Sequence, residues 1–516
     1  MSGLRRYHAP VWDEPVVMEM GSPGRRGFIP PAAGDADTAG FVPDSMKRGE
    51  RAGLPELSEA EVQRHYIQLA QETLGMMGVN LFGTCTIKYS PLLGERISAD
   101  HIAELHPGQD PETIQGVLAV LHGMSEILCE LSGMDQFVFQ AGGGADAAYV
   151  NAVTTRAYHA DRGELEQRNE IITTIQTHPC NAATAAAAGF KVVTLMLGED
   201  GYPPLEALEA AVSERTAGMM IGNPDDMGIY NPEIKQWVDL VHEAGGLCFY
   251  DHANFNGAMS KLRARELGFD ACMFMLHKTF AAPFGGGGPA VGAYGCSSEL
   301  EPYMPRPLGR EQGGSYSLED VDEAPKSVGR VREYWGNVPQ IVKAYSWVRS
   351  MGAEGIRFAS DMSVLANNYM EKRLLEIPGL SISHPDIKSR RLEMTRYSLG
   401  KLQEDTGVTV FDVQNRMVDF GVDAPWLSHE PWLVPEPITP EAGETWPIED
   451  LDYWIDVLAQ VCREAYEDPE IVKTAPHNQA IGPVDGSRLD EPDQWATTWR
   501  AYKRKHGDRP KGRTSP

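Results

Sequence analysis

Apolar residues recur along this chain in two rhythms. Ile114, Val117, Leu118, Leu121 and Met124 fall 0, 3, 4, 7 and 10 positions from the first, which is one face of a helix. The pattern predicts a helix from about Pro111 to Leu131, ended by Gly133. Upstream, Ser58 followed three residues later by Glu61 is a capping-box signature that opens a helix through Gln68 and Leu69. Short apolar runs then take over: Phe137-Val138-Phe139, Ile171-Ile172, Val192 to Leu197, Met219-Met220-Ile221, Leu247 to Tyr250 and Cys272 to Leu276. Helical stretches, such as Pro204 to Val212 and Pro232 to Glu243, separate several of these candidate strands. The alternation argues for an α/β domain with a mostly parallel sheet. Ligands of such sheets bind beyond the carboxyl ends of the strands, so the residues just after each run are the ones to inspect.

The rhythm changes at both ends. Residues 1–57 are rich in Pro, Gly and charge, as in Gly21-Ser22-Pro23-Gly24-Arg25-Arg26-Gly27, and read as an extended arm, either disordered or wrapped on a neighbouring subunit. Residues 58–330 form the large domain. Residues 331–480 read as a smaller α+β domain, with a long helical region from Val342 to Leu375, a short run at Ser381-Ile382-Ser383 and a helix from Ile448 to Tyr466. Residues 481–516 are a tail whose basic end, Lys503-Arg504-Lys505 and Arg509 to Arg513, reads as solvated.

Composition narrows the function classes. With 516 residues the chain is long enough for two packed domains. A net charge of −27 argues against a general nucleic-acid binder. No run of about 18 apolar residues suggests a membrane span. The start, Met1 to Pro10, has no apolar stretch after its two arginines, so it does not read as a secretory signal and a cytoplasmic protein is expected. The seven cysteines contain no C-x-x-C pair; reduced core thiols are expected, and no metal site is read.

Three strand ends carry chemistry. Asp251 ends an apolar run in Tyr250-Asp251-His252-Ala253-Asn254. Lys278 follows another in Leu276-His277-Lys278-Thr279-Phe280. Gln140-Ala141-Gly142-Gly143-Gly144-Ala145-Asp146 is a glycine turn leading into a helix start. Together they match what pyridoxal phosphate requires: a lysine amine for its aldehyde, as a Schiff base, a carboxylate for its ring nitrogen, and converging N–H groups for its phosphate. His178, in Thr177-His178-Pro179-Cys180-Asn181, follows the Ile171 strand and could stack on the ring; it could equally be a loop histidine. Phe284 is followed by four glycines and Pro289, costly in a helix or strand, and so reads as a loop passing close to another group.

In the same chain order these blocks resemble the pyridoxal-phosphate-binding P-protein of the glycine cleavage system, glycine dehydrogenase (decarboxylating), in its subunit 2 form. The resemblance runs from about Ser22 to about His477. It includes Pro23 to Gly27, Leu54 to Glu59, Gly83 to Pro91, His106-Pro107 with Gln109, His178 to Asn181, and Ala475-Pro476-His477. Its most specific part is Asp251 to Asn254 with His277-Lys278-Thr279-Phe280 and Gly285 to Pro289. The resemblance implies a pyridoxal-phosphate-dependent transferase fold of type I. It implies that Lys278 holds the cofactor, Asp251 pairs with the ring nitrogen, and His178 stacks on the ring. Gly144, Ala145 and Asp146 would lie at the phosphate, with Asn181, Asn254 and His277 also at the cofactor. It further implies decarboxylation of glycine, aminomethyl transfer to a lipoyl carrier protein, and a companion subunit 1 in a hetero-oligomer. The departures are His252 where Gly or Ala is usual, Asn223-Pro224-Asp225-Asp226 where the fourth residue is usually Thr, Ala147-Ala148 after the glycine turn, Ala424-Pro425-Trp426 for Ala-Pro-Thr, and Glu436-Pro437-Ile438-Thr439 for Glu-Pro-Thr-Glu. These suit a paralogue acting on another amino acid without a lipoyl protein, as a decarboxylase, lyase or aminotransferase. They equally suit a divergent ordinary subunit. A non-catalytic assembly subunit is disfavoured by Asp251 and Lys278.

Overall fold

The computed structural model describes residues 3–507 except 6, 33, 35–39, 51, 74–78, 83–87, 285–289, 333, 424, 430–432, 485, 487–490 and 493–494. The sequence blocks at Gly83 to Ile87 and Gly285 to Pro289, Ala424, and the basic end Arg509 to Arg513 lie outside the described residues.

Seven strands form the central sheet: β1 (Gln136–Val138), β2 (Glu170–Thr174), β3 (Lys191–Leu195), β4 (Thr216–Gly222), β5 (Leu247–His252), β6 (Ala271–Met275) and β7 (Gly292–Cys296). Their order is β1-β7-β6-β5-β4-β2-β3. β6-β5-β4-β2-β3 pair in parallel, and β7 lies antiparallel to both β1 and β6. Six of the strands correspond to the apolar runs in the sequence. The seventh, Gly-Ala-Tyr-Gly-Cys, carries two glycines and no long apolar run, so neither composition nor alternation announces it. Glycine suits it for a packing reason: a Cβ on Gly295 would collide with the Phe137 ring, and one on Gly292 with the Gly143 carbonyl.

Both faces of the sheet are covered, and strand alternation sorts side chains between them. Ile172, Met219, Tyr250, Cys272 and Phe274 enter one apolar core, with Leu121, Met124 and Leu128 of the helix Gln115–Ser132. Ile171, Met220, Phe249, Ala271 and Met273 enter the opposite core, with Ala147, Ala148 and Val150 of the helix Gly144–Asp161. The helix expected from Pro111 begins instead as a 3-10 turn, Pro111–Thr113. Ile114 is non-helical (φ −124°, ψ 26°), and Gly133, at φ 75°, closes the α-helix as expected. Ser58 caps Glu59–Gln71 through the reciprocal bonds with Glu61.

A third core gathers the C-terminal elements. The long helix Val338–Leu374, bent at Gly352, contributes Met370 and Leu374; the helix Ile448–Glu467 contributes Leu451, Trp454, Leu458 and Val461. They pack around a small antiparallel sheet of β10 (Ser381–Ile382), β11 (Tyr397–Ser398) and β12 (Pro437–Ile438), which follows the hairpin β8 (Leu308–Gln312) and β9 (Ser315–Glu319) in the chain. Leu81 is buried in this core, and Leu4 and Val79 pack against it. The arm itself lies along the helix Glu59–Gln71: Trp12 N–H donates to Glu72, and Glu14 meets His65 Nδ1 at 2.7 Å. The tail holds an amphipathic helix, Trp499–His506, that the sequence reading left as solvated chain. Among the described residues, no helix is long and apolar enough to cross a membrane, and six cysteines are free thiols.

Trp454 is completely buried in the C-terminal core. Trp454→Ala is expected to lower stability by about 3–5 kcal/mol, measured by chemical denaturation monitored separately in the C-terminal core and in the central-sheet domain.

Candidate active site

The carboxyl ends of β2, β4, β5 and β6 open onto one pocket. Thr177 and His178 come from the turn after β2, Gly222, Pro224, Asp225 and Asp226 from the end of β4, Asp251, Ala253 and Asn254 from β5, and Lys278 from the turn after β6. Met394, from the C-terminal part of the chain, closes it. β5 and β6 pair directly, with Asp251 opposite Met273 and His252 opposite Phe274. Adjacent parallel strands therefore deliver the carboxylate and the amine to the same mouth.

Both groups are buried, at 8% and 6% relative exposure, so each needs partners. Asp251 Oδ2 accepts from Asn181 Nδ2 at 2.8 Å, and Oδ1 from Ala253 N–H at 2.9 Å. Burial raises its carboxyl above the ordinary value; the two hydrogen bonds and the charge of Lys278 work against that rise. Lys278 Nζ donates to Asn254 Oδ1 at 3.0 Å. His178 is half-buried, its Nδ1 accepting from Cys180 N–H at 3.1 Å. Burial brings this imidazole down to about 4, so at neutral pH it presents an uncharged ring to the pocket.

The glycine turn sits at the same edge of the sheet. Gly292 N–H of β7 donates to Ala141 O at 2.9 Å, and a Cβ on Gly144 would strike the Met275 side chain at the end of β6. Gly144 is buried at the first position of the helix Gly144–Asp161, where the first N–H groups lack intrahelical acceptors. Ala145 is exposed there. Asp146 Oδ2 accepts from Gly142 N–H and pairs with Arg332, each at 3.0 Å. His277 turns away from the pocket: its Nδ1 lies 3.2 Å from Val291 O and its ring packs on Phe284.

Further groups gather here: Asp226 and Trp426, which the sequence marked as departures from the family pattern, and His429, Arg396 and Glu441, which no motif marked. Asp226 Oδ2 lies 3.0 Å from His429 Nδ1, and the His429 ring meets His178 edge-on at 4.3 Å and Trp426 at 5.0 Å. Arg396 sits over the Trp426 ring at 4.8 Å. Burial opposes the charge on Asp226, yet His429, His178 and Arg396 together hold it below the ordinary carboxylate value. Its neighbour Asp225 is pushed up to about 7, chiefly by burial. Asn254 Nδ2 also donates to Glu441 Oε2 at 3.2 Å. His429, Arg396 and Glu441 lie more than 110 residues beyond Lys278, no strand end announces them, and their polar, Pro- and charge-containing neighbourhoods in the sequence do not single them out.

The donor set fits pyridoxal phosphate. A lysine amine and a buried, hydrogen-bonded carboxylate face one pocket, a neutral imidazole lines its wall, and a glycine-opened helix N-terminus lies at the same sheet edge.

Comparison with known proteins agrees with this fold. The aminotransferase class-V family model matches residues 132–426. The chain is 39% identical over 502 residues to a probable glycine dehydrogenase (decarboxylating) subunit 2 of Pyrococcus abyssi, covering 96% of this chain and 98% of that protein. A protein of the same description from Bacillus velezensis is 37% identical over 480 residues, 92% of this chain and 96% of the other. Among solved structures, the glycine decarboxylase (P-protein) of the glycine cleavage system, in inhibitor-bound form, superposes with a TM-score of 0.67 at 20% identity, over 81% of this chain and 93% of that one. A NifS-like protein superposes at 0.57 and 18% identity, over 75% and 100%.

His252, expected from the sequence to border the substrate, lies on the other side of the sheet. Successive strand residues alternate faces, so Asp251 turns to the pocket while His252 joins Tyr250, Phe255 and Phe274, with ring centroids 3.8, 4.7 and 5.5 Å away. Its Nε2 has no partner among the described residues, and burial drives the imidazole down to about 3. The unfolded chain takes up this proton near pH ~6.5 and the folded chain does not. Stability is therefore complete above that value and drains as pH falls toward 3. His252→Phe is expected to raise stability by about 1 kcal/mol and to flatten its decline below pH ~6.5, with KM for an amino-acid substrate unchanged. Urea titrations at several pH values check the first two, and a shifted KM would place His252 back at the substrate.

Proposed function

Because the chain belongs to the family of glycine dehydrogenase (decarboxylating) subunit 2 and carries the aminotransferase class-V fold, we propose that it is the pyridoxal-phosphate-binding subunit of a glycine decarboxylase. The observation that carries this reading is the delivery of Asp251 and Lys278 by neighbouring parallel strands to one pocket walled by His178. When bound, the cofactor supplies an aldehyde carbon that takes an amine and a ring that accepts the electron pair released as CO2 leaves.

The chain's own residues do the rest. Lys278 Nζ, held by Asn254 Oδ1, is the amine that would hold the cofactor. The Asp251 carboxylate, oriented by Asn181 and Ala253, holds a proton on the ring nitrogen. His178 lies against the ring as a neutral imidazole. The N–H groups of Gly144, Ala145 and Asp146 bind the phosphate at the helix N-terminus. Asn181 and Asn254 orient the carboxylate and the lysine. His277 supports the turn that carries Lys278 through its contact with Val291 O.

The partners follow from the family: a subunit 1 that completes the enzyme, and a lipoyl carrier protein that receives the aminomethyl group, in the cytoplasm. A second reading draws on Asp226 and His429. This hydrogen-bonded couple at the pocket wall suits a substrate with more hydrogen-bonding groups than glycine.

Adding pyridoxal phosphate to the purified chain is expected to produce a visible absorbance band, lost in Lys278→Ala. With subunit 1 and a lipoyl carrier, the wild type is expected to exchange labelled bicarbonate into glycine. Asp251→Asn is expected to lower that rate by on the order of a hundredfold or more, the scale of losing one electrostatic stabiliser. A cofactor band without glycine exchange would favour the second reading.

A further inference from the structure

Asn254 bridges an amine and a carboxyl group. Its Oδ1 accepts from Lys278 Nζ at 3.0 Å, and its Nδ2 donates to Glu441 Oε2 at 3.2 Å. An amide between an ammonium and a carboxylate has one good orientation, oxygen to the cation and nitrogen to the anion. Glu441 therefore sets which way Asn254 faces.

Glu441 is itself in an unusual position. It has no solvent exposure, and its backbone N–H is tied to Leu81 O, which anchors it in the C-terminal core. Its second oxygen, Oε1, has no hydrogen-bond partner among the described residues, and neither has Oε2 of the buried Glu393. A structural carboxylate buried for stability would have both oxygens satisfied. One left open and linked to a catalytic amine is poised to change charge. Burial first, and then Glu393, push Glu441 up to about 8, against the pull of Lys278 and Lys88; burial lifts Glu393 to about 7. Two such carboxyls titrate as a pair near neutrality.

We propose that Glu441 is a positioning residue of this active site: through Asn254 it aims the Lys278 amine and biases that amine's protonation. With Glu441 ionised, Asn254 Oδ1 is held against an ammonium. With a proton on Glu441, the negative charge is gone and the free amine, the form that can add to a carbonyl carbon, is favoured. Asp251, His178 and His277 also face Lys278, and Asp226, Glu393 and Lys88 face Glu441. None of these has a hydrogen bond to Asn254, so the Asn254 bridge gives Glu441 a route to the lysine that they lack. The role of the lysine rests on the reading of Lys278 as the cofactor residue; the bridge does not.

The test is the reactivity of Lys278 in the full chain freed of cofactor. Trace labelling with acetic anhydride across pH 6–11, read by peptide mass spectrometry, gives the titration of this amine, with exposed Lys191 as the internal reference. Glu441→Gln is expected to move the Lys278 midpoint down by about one pH unit, a roughly tenfold gain in labelling on the acid side, while Glu441→Asp keeps it near the wild-type value. In an Asn254→Ala background, Glu441→Gln is expected to move the midpoint by clearly less, because only the direct charge effect between Glu441 and Lys278 remains. An unchanged Lys278 midpoint in folded Glu441→Gln, or an equal shift with and without Asn254, would overturn the proposal. Should Glu441→Gln not fold, Asn254→Ala alone must shift the midpoint for the proposal to stand. Since the readout needs no bound cofactor, it is independent of the absorbance test for the cofactor lysine.

Discussion

An amine and a carboxylate buried at the ends of adjacent strands are tolerable only if each is satisfied by other groups, and this requirement organises the pocket. Taking either charge out of water is costly by several kcal/mol. Asp251 is compensated by Asn181 and Ala253, and Lys278 by Asn254. Asn181 comes from the helix Cys180–Ala187 after β2, and Asn254 is in turn tied to Glu441 far along the chain. The polar network thus joins the central sheet to the C-terminal core. Burial acts in both directions on these groups: the low dielectric that makes an unpaired charge expensive also strengthens every paired one.

The sheet supplies the geometry that this network decorates. Five parallel neighbours end at a common edge, and the strand running the other way, β7, brings the Gly292 backbone against the glycine turn. Alternation along β5 then does something that residue type alone does not indicate. It sends Asp251 and His252, consecutive polar residues at one strand end, to opposite faces. One becomes a polar anchor in the pocket, and the other an aromatic plate in the core, neutral because burial forbids its charge.

The C-terminal part of the chain makes the pocket specific. Met394 closes it, Arg396 and Trp426 stack beside it, and His429 pairs with Asp226 on its wall. Two of the residues that depart from the family pattern, Asp226 and Trp426, meet at one histidine. That convergence ties two departures scattered over 200 positions of sequence into a single local change in the pocket's hydrogen-bonding character. By contrast, the departure at Ala147 and Ala148 is absorbed in the core against the sheet, where small residues let the helix Gly144–Asp161 approach closely.

What the sequence determined by itself was local and periodic. Apolar spacing identified the helix over residues 115–132 and six of the seven sheet strands, because burial of one face demands a period of 3.6 or 2. The strand-end residues Asp251, Lys278 and His178, which line one pocket, were legible because an α/β sheet presents its ligand site at that edge. The strand Gly292–Cys296 was not, since its fitness lies in what it packs against, the Phe137 ring and the Gly143 carbonyl, and not in its own residues. Nor were Glu441, Arg396 and His429, which meet Asn254, Met227 and His178 across more than 110 positions. The tertiary structure alone decided those, and the face on which His252 lies, because only a folded chain fixes which distant groups share a volume without water.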